Sequence, residues 1–146
     1  MPNDFQEQEQ TRLRVALSVA AGFLAEVFTI AVVGIVILGH RLMAPGQSPD
    51  VQREFNFRAA YITGPLFGVI FTYVMATWVV RKAKGRYFAH ALLVGAGAIV
   101  LHVVTTIGAP GGYGLIHGVA DFLKLVAAVT AAYVGERKRA GRVVTA

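Results

Sequence analysis

Three ionisable residues sit where apolar sequence surrounds them on both sides: Glu26, Asp121 and Lys124. A charge at the centre of a bilayer costs a few kcal/mol on insertion scales, about 2.5 to 3.5, so such a residue is kept for a reason. Asp121 and Lys124 are three apart and share one helix face. Counting about 1.5 Å per residue from the midpoint of each apolar run puts Glu26 and Lys124 at similar depth, with His102 level with Asp121 and His117 one turn further out. The expectation is a buried polar cluster in which Glu26 faces Lys124 and Asp121 bridges toward His102, with Thr29, Thr105 and Tyr73 as hydroxyl partners. Two carboxylates against one ammonium leave one negative charge, which a proton, a protonated His102 or a bound cation would balance. Such a group can load and release protons. The plainer alternative is a fixed Glu26–Lys124 pair that specifies helix order and moves nothing.

Histidine also suggests haem. His102 and His117 fall on successive apolar segments, His40 ends the first, and haem iron takes axial His ligands. His102 and His117 differ in depth by about four residues, or about 6 Å, and His90 has no partner at its level. Haem is therefore the weaker reading, and no cofactor is expected. There is no cysteine, which removes disulfides, thiolate metal sites and thiol nucleophiles. No hydrolase triad, phosphate loop, paired-carboxylate site or metalloprotease spacing is present, and an enzyme is not expected.

Four elements must hold these residues. Of the 146 residues 55% are hydrophobic and 15% charged, a balance suited to lipid rather than water. Apolar runs cover about 15–39, 59–80, 88–107 and 115–134, each long enough to cross a hydrocarbon core of about 30 Å as a helix. The first run, after Arg12 and Arg14, is too long for a signal-peptide core and continues through Ile30-Ala31-Val32-Val33-Gly34, so it reads as a retained span. The expected fold is an all-α membrane protein, a four-transmembrane-helix antiparallel bundle over residues 15–135. Residues 1–14 form a polar, frayed arm and 136–146 a basic tail.

The basic residues set topology. Arg12, Arg14, Arg81, Lys82, Lys84, Arg86, Arg137, Lys138, Arg139 and Arg142 flank one side of the spans, and only Arg41, Arg53 and Arg58 the other. The positive-inside rule then places both termini in the cytoplasm, with a bacterial inner membrane the best fit. The net charge of +6 lies beside the spans and forms no nucleic-acid face.

The connections differ in kind. Pro45-Gly46 reads as a turn, Ser48 as a helix cap and Pro49 as a first helical residue, so the second helix starts near Asp50, outside the membrane, and kinks or breaks at Gly64-Pro65. The segment Gly108 to Gly114 is uncharged, rich in breakers, and makes the third and fourth helices antiparallel neighbours. Small residues recur at four-residue spacing in Gly64/Gly68, Ala91/Gly95, Gly114/Gly118 and Ala128/Ala132, and are expected to serve close helix packing within the bundle.

Leu24-Ala25-Glu26-Val27, with its acid mid-way along the first of four short spans, resembles the first helix of the small multidrug resistance transporters. That likeness implies a membrane-embedded glutamate exchanging protons for cationic drugs. It covers about one turn of helix. The chain departs from that family in its long first loop, in Asp121 and Lys124 on the fourth span, in its fixed charge bias and in its third helix, and it is not assigned to it.

Two classes of function follow. The first, placed ahead, is a non-catalytic subunit, assembly or interaction partner of a membrane complex, binding the lipid bilayer and another membrane protein or itself. The second is a small proton-coupled transporter or proton pathway, working as a homo-oligomer through Glu26, Asp121 and Lys124.

Overall fold

A computed structural model of the chain describes residues 2–83, 85–108 and 113–143, with side chains described over 14–83, 85–108 and 113–140. Lys84, residues 109–112 of the expected breaker-rich loop, and the side chain of Arg142 lie outside the described residues. Four helices follow in order: α1 (Pro2–Met43), α2 (Pro49–Lys82), α3 (Tyr87–Ile107) and α4 (Leu115–Val143). All four are long and apolar enough to cross a membrane.

Two expectations about the ends change. The first fourteen residues are helical from Pro2 onward rather than frayed, continuing α1. Residues 136–143 of the basic tail are likewise the end of α4, which runs well past residue 134, and residues 144–146 lie outside the described residues. Arg139 shows why the extension is useful. Its guanidinium donates to the carbonyl oxygens of Val80 (3.3 Å) and Arg81 (2.8 Å) and to the Tyr87 hydroxyl. The last carbonyls of α2 have no partner within their own helix, and a cation from α4 supplies one.

The start of α2 follows local chemistry. Ser48 adopts extended backbone, its hydroxyl accepts from the Val51 amide, and Pro49 follows at the first helical position. Gly46 has φ +89°, which turns the chain between α1 and α2. His40 stacks on Phe55 with centroids 3.5 Å apart and so ties the two helices together beside this turn. Helix α2 is continuous through Pro65 rather than broken there. The missing Pro65 amide leaves the Tyr61 carbonyl without its helical donor.

Burial is distributed inside out relative to a water-soluble globule. The core consists of small residues, including Ala25, Ala76, Ala91, Ala98, Ala128 and Ala132, together with Val80 and Val94. Large residues such as Ile35, Leu38, Ile62, Leu66, Val104 and Phe122 point outward. A water-soluble monomer rarely exposes an apolar patch beyond a few hundred Å², whereas lipid tails solvate such a surface. Small core residues in turn allow backbones to approach where lipid gives no hydrophobic drive between helices.

The closest approach is between α1 and α3. A Cβ on Gly22 would lie 2.2 Å from the Val94 carbonyl oxygen, and one on Gly97 would lie 2.7 Å from that of Val19. Gly95 meets Leu125 and Ala128, which brings α3 against α4. Gly135 receives the Val80 side chain, which brings α4 against α2. Each of α2 and α3 packs on both α1 and α4 and they touch each other, whereas among the described residues α1 and α4 make no close backbone approach. They are the long diagonal of the assembly.

Candidate functional site

Charged side chains bridge that diagonal. Lys124 of α4 is completely buried, and its ammonium donates to Glu26 Oε2 of α1 at 2.9 Å. Its route is opened by Gly68 on α2, where a Cβ would lie only 2.8 Å from Lys124 Cε. The other oxygen of Glu26 is 2.8 Å from His102 Nδ1, and His102 Nε2 is 3.2 Å from His117 Nδ1. On the opposite side Lys124 lies 3.2 Å from Asp121 Oδ1, an ion pair one helical turn apart. That oxygen is buried without an aligned hydrogen bond, while Asp121 Oδ2 accepts from the Tyr113 hydroxyl at 2.8 Å. The result is one linked series: Tyr113, Asp121, Lys124, Glu26, His102, His117.

The expected membership and the observed partners differ in two respects. Asp121 does not bridge toward His102; Glu26 does, with one oxygen for the imidazole and one for the ammonium. Asp121 instead turns toward Tyr113, which precedes α4. Thr29 and Thr105 donate to carbonyls of their own helices, those of Ala25 and of Leu101 and His102, and Tyr73 faces outward. His102 and His117 meet despite their different depths, because side chains on adjoining helices lean toward each other across about one turn.

The small-residue pairs also separate by role. Ala91 is fully buried and Gly95 faces α4, and Ala128 and Ala132 lie in the core. Gly68 makes room for a lysine rather than for a backbone. Gly64 and Gly114 have open space where a Cβ would stand, and Gly118 meets only the Tyr113 hydroxyl at 3.9 Å. The glycines that do hold backbones together, Gly22 and Gly97, were not anticipated: Gly97 has leucines four residues away on both sides, and the small residue four before Gly22 is Ser18. Ser18 itself was not anticipated either, and its oxygen is 3.0 Å from His90 Nδ1. Its only sequence signal was a hydroxyl in an apolar run.

A cavity of about 450 Å³ adjoins the histidines. Glu26, Thr29, Ile30 and Val33 line it from α1, Phe57, Tyr61 and Gly64 from α2, His102, Thr105 and Thr106 from α3, and Gly114 to His117 from the start of α4. It therefore lies toward the α1–α2 and α3–α4 connections. The polar series ends in it at His117, and Tyr61 and Tyr113 flank that ring.

Haem held between His102 and His117 does not fit this arrangement. The facing nitrogens of His102 and His117 are hydrogen-bonded at 3.2 Å, closer than two iron–nitrogen bonds laid end to end, and His40 is stacked on Phe55. Among the described residues no three His, Asp or Glu side chains converge so as to hold a metal ion.

Compared with protein-family models, with curated proteins and with solved structures, the chain shows no significant match. Its function must be argued from its own residues.

The protonation pattern follows from donor and acceptor counting. An ionised Glu26 only accepts, so His102 Nδ1 carries a hydrogen. With His102 neutral, its Nε2 accepts from His117 Nδ1–H, which leaves His117 Nε2 bare at the cavity. Lys124, Glu26 and Asp121 then sum to one negative charge. One added proton neutralises the cluster.

Proposed function

We propose that the chain is a multi-pass membrane protein that takes up and releases protons at an intramembrane site, with His117 as the entry, His102 as the relay and Glu26 as the acceptor. Lys124 and Asp121 are the fixed charges against which Glu26 titrates. The reading carries with it an antiparallel bundle with both termini in the cytoplasm of a bacterial inner membrane, supported by the bias of basic residues toward the chain ends and the α2–α3 link. In that orientation the cavity opens toward the outside.

The observation that carries the proposal is the unbroken hydrogen-bonded run His117–His102–Glu26 along the wall of a cavity that all three residues line. A proton binding His117 Nε2 displaces the Nδ1 proton onto His102 Nε2, and the His102 Nδ1 proton moves to Glu26 Oε1. One proton has entered, both imidazoles have exchanged tautomer, and the remaining Lys124–Asp121 pair is neutral. A fixed structural pair needs neither the second histidine nor the cavity. A cavity within one chain, in the size range of ligand sites, supports a pathway with its entrance inside a single bundle.

The test is proton uptake by liposomes containing the purified protein, driven by a membrane potential and followed with an entrapped pH dye. Wild type should acidify the lumen faster than empty liposomes, Glu26→Gln should abolish the excess while inserting normally, and Tyr73→Phe should retain it. Equal flux in wild type and Glu26→Gln overturns the proposal. A silent Glu26→Gln together with a stoichiometric membrane partner on purification would establish the subunit reading instead.

A further inference from the structure

At the far end of the helices from the cavity lies a second, smaller constellation. Arg14 and Leu17 of α1, Val79, Lys82 and Ala83 at the end of α2, and His90 of α3 surround a cleft of about 30 Å³. That volume admits one small polar group and no more.

His90 fixes the character of this cleft. It is only 9% exposed. The Ser18 hydroxyl donates its one hydrogen to the Arg14 carbonyl at 2.8 Å, so toward His90 Nδ1, 3.0 Å away, it can only accept. Nδ1 therefore carries a hydrogen, and Nε2 is left without a hydrogen-bond partner among the described residues. Nε2 of the neutral ring is then an acceptor, and an anion held by the neighbouring guanidinium and ammonium would supply the counter-charge under which it takes a proton and donates.

The one described acid at this end, Glu136, makes no ion pair with the cleft. The described ion pairs involve Glu26, Asp50, Glu54 and Asp121, and none includes Arg14, Lys82 or Arg86. The N-terminus of α3 adds to the field. Its cap, Arg86, has φ +51° and ψ +41° and makes no side-chain cap bond, and its first turn holds no acid. The free amides of that turn are an anion-attracting terminus.

We propose that this cleft binds the phosphate of an anionic phospholipid. Arg14 stands immediately before the first long apolar run and Lys82 ends α2 after the second, which places both at headgroup level. Lys82 lies over the Trp78 ring at 4.3 Å, a cation on an aromatic of the kind found at membrane interfaces. Leu17, 41% exposed beside the cleft, supplies an apolar surface for the glycerol and the upper acyl chains outside it, which a free phosphate ion would leave unused. Basic pockets between spans hold lipid headgroups by this combination of charge and apolar contact.

The experiment uses full-length protein in nanodiscs of phosphatidylcholine alone or with phosphatidylglycerol, read by native mass spectrometry of retained lipid and by thermal melting. Phosphatidylglycerol should be retained and raise the melting temperature. Arg14→Gln/Lys82→Gln should weaken retention about thirtyfold and remove the rise. Arg53→Gln/Arg58→Gln, at the opposite end, should change neither. Should the double variant fail to insert, His90→Gln is measured the same way and should also lose retention. Retention unchanged in whichever cleft variant inserts overturns the proposal. So does equal stabilisation by inorganic phosphate in phosphatidylcholine discs, which would make the site one for a free anion.

Discussion

Lys124 donates to Glu26 at 2.9 Å although α4 and α1 are the two helices that do not pack on each other. The lysine spans the gap with its whole side chain, and the passage exists because residue 68 has no Cβ. Burying an ammonium is tolerable only with a well-placed anion, and here two carboxylates flank it.

Gly68→Ala is accordingly expected to destabilise the protein by about 1–3 kcal/mol, by overpacking against Lys124 Cε. Gly64→Ala, one turn away with open space at its Cβ position, should be neutral or gain up to about 1 kcal/mol of helix propensity. Unfolding in mixed micelles compares the two, and equal effects would remove the steric passage from the account.

Removing one partner of the buried pair should cost more than removing both. Lys124→Met leaves two carboxylates facing each other across the core and should cost about 3–5 kcal/mol, and Glu26→Gln keeps one acceptor oxygen but turns an amide NH2 toward either His102 or the Lys124 ammonium. The double variant should cost less than the sum, with a coupling of about 1–3 kcal/mol by a double-mutant cycle. Simple additivity would mean that the two groups do not interact in the folded protein.

The α1–α3 crossing should be the least tolerant place in the chain. Gly22→Ala and Gly97→Ala drive a methyl into backbone oxygens of the facing helix, which cannot rotate away, and each should cost about 3 kcal/mol or more. Gly34→Ala, with open space, should lie within about 0.5 kcal/mol of neutral before its propensity gain. Thermal melting in detergent measures all three.

Tyr113 lies outside the spans and titrates in a direction that can be checked. Its hydrogen bond to Asp121, then burial, then the carboxylate charge hold its phenol above the ordinary value of 10.0. The neutral phenol is the form that binds Asp121, so the stabilisation is complete below pH 10 and is lost as pH rises through the raised folded value. The melting-temperature gap between wild type and Tyr113→Phe should be constant at neutral pH and close in strong alkali. A gap that widens with pH would reverse the assignment.

What was legible beforehand had local causes. In lipid a backbone must satisfy its own hydrogen bonds, so an apolar run of sufficient length is enough to announce a helix, and four were readable. Ser48 and Pro49 act within one turn, and their roles follow from residue type. Glu26, Asp121, Lys124, His102 and His117 stood out because a polar group among apolar residues carries a cost regardless of its neighbours.

The pairing of these groups was settled at a different level. Which oxygen of Glu26 meets His102, why Asp121 turns to Tyr113, and that Gly68 is a passage while Gly22 and Gly97 form a backbone contact depend on how each helix is rotated about its axis and where it crosses the next. Those angles come from the shapes of many side chains interlocking on four helices at once. Periodicity along one helix names a face but not the face opposite it, and the hydrogen-bonded run from His117 through His102 to Glu26 exists only between helices.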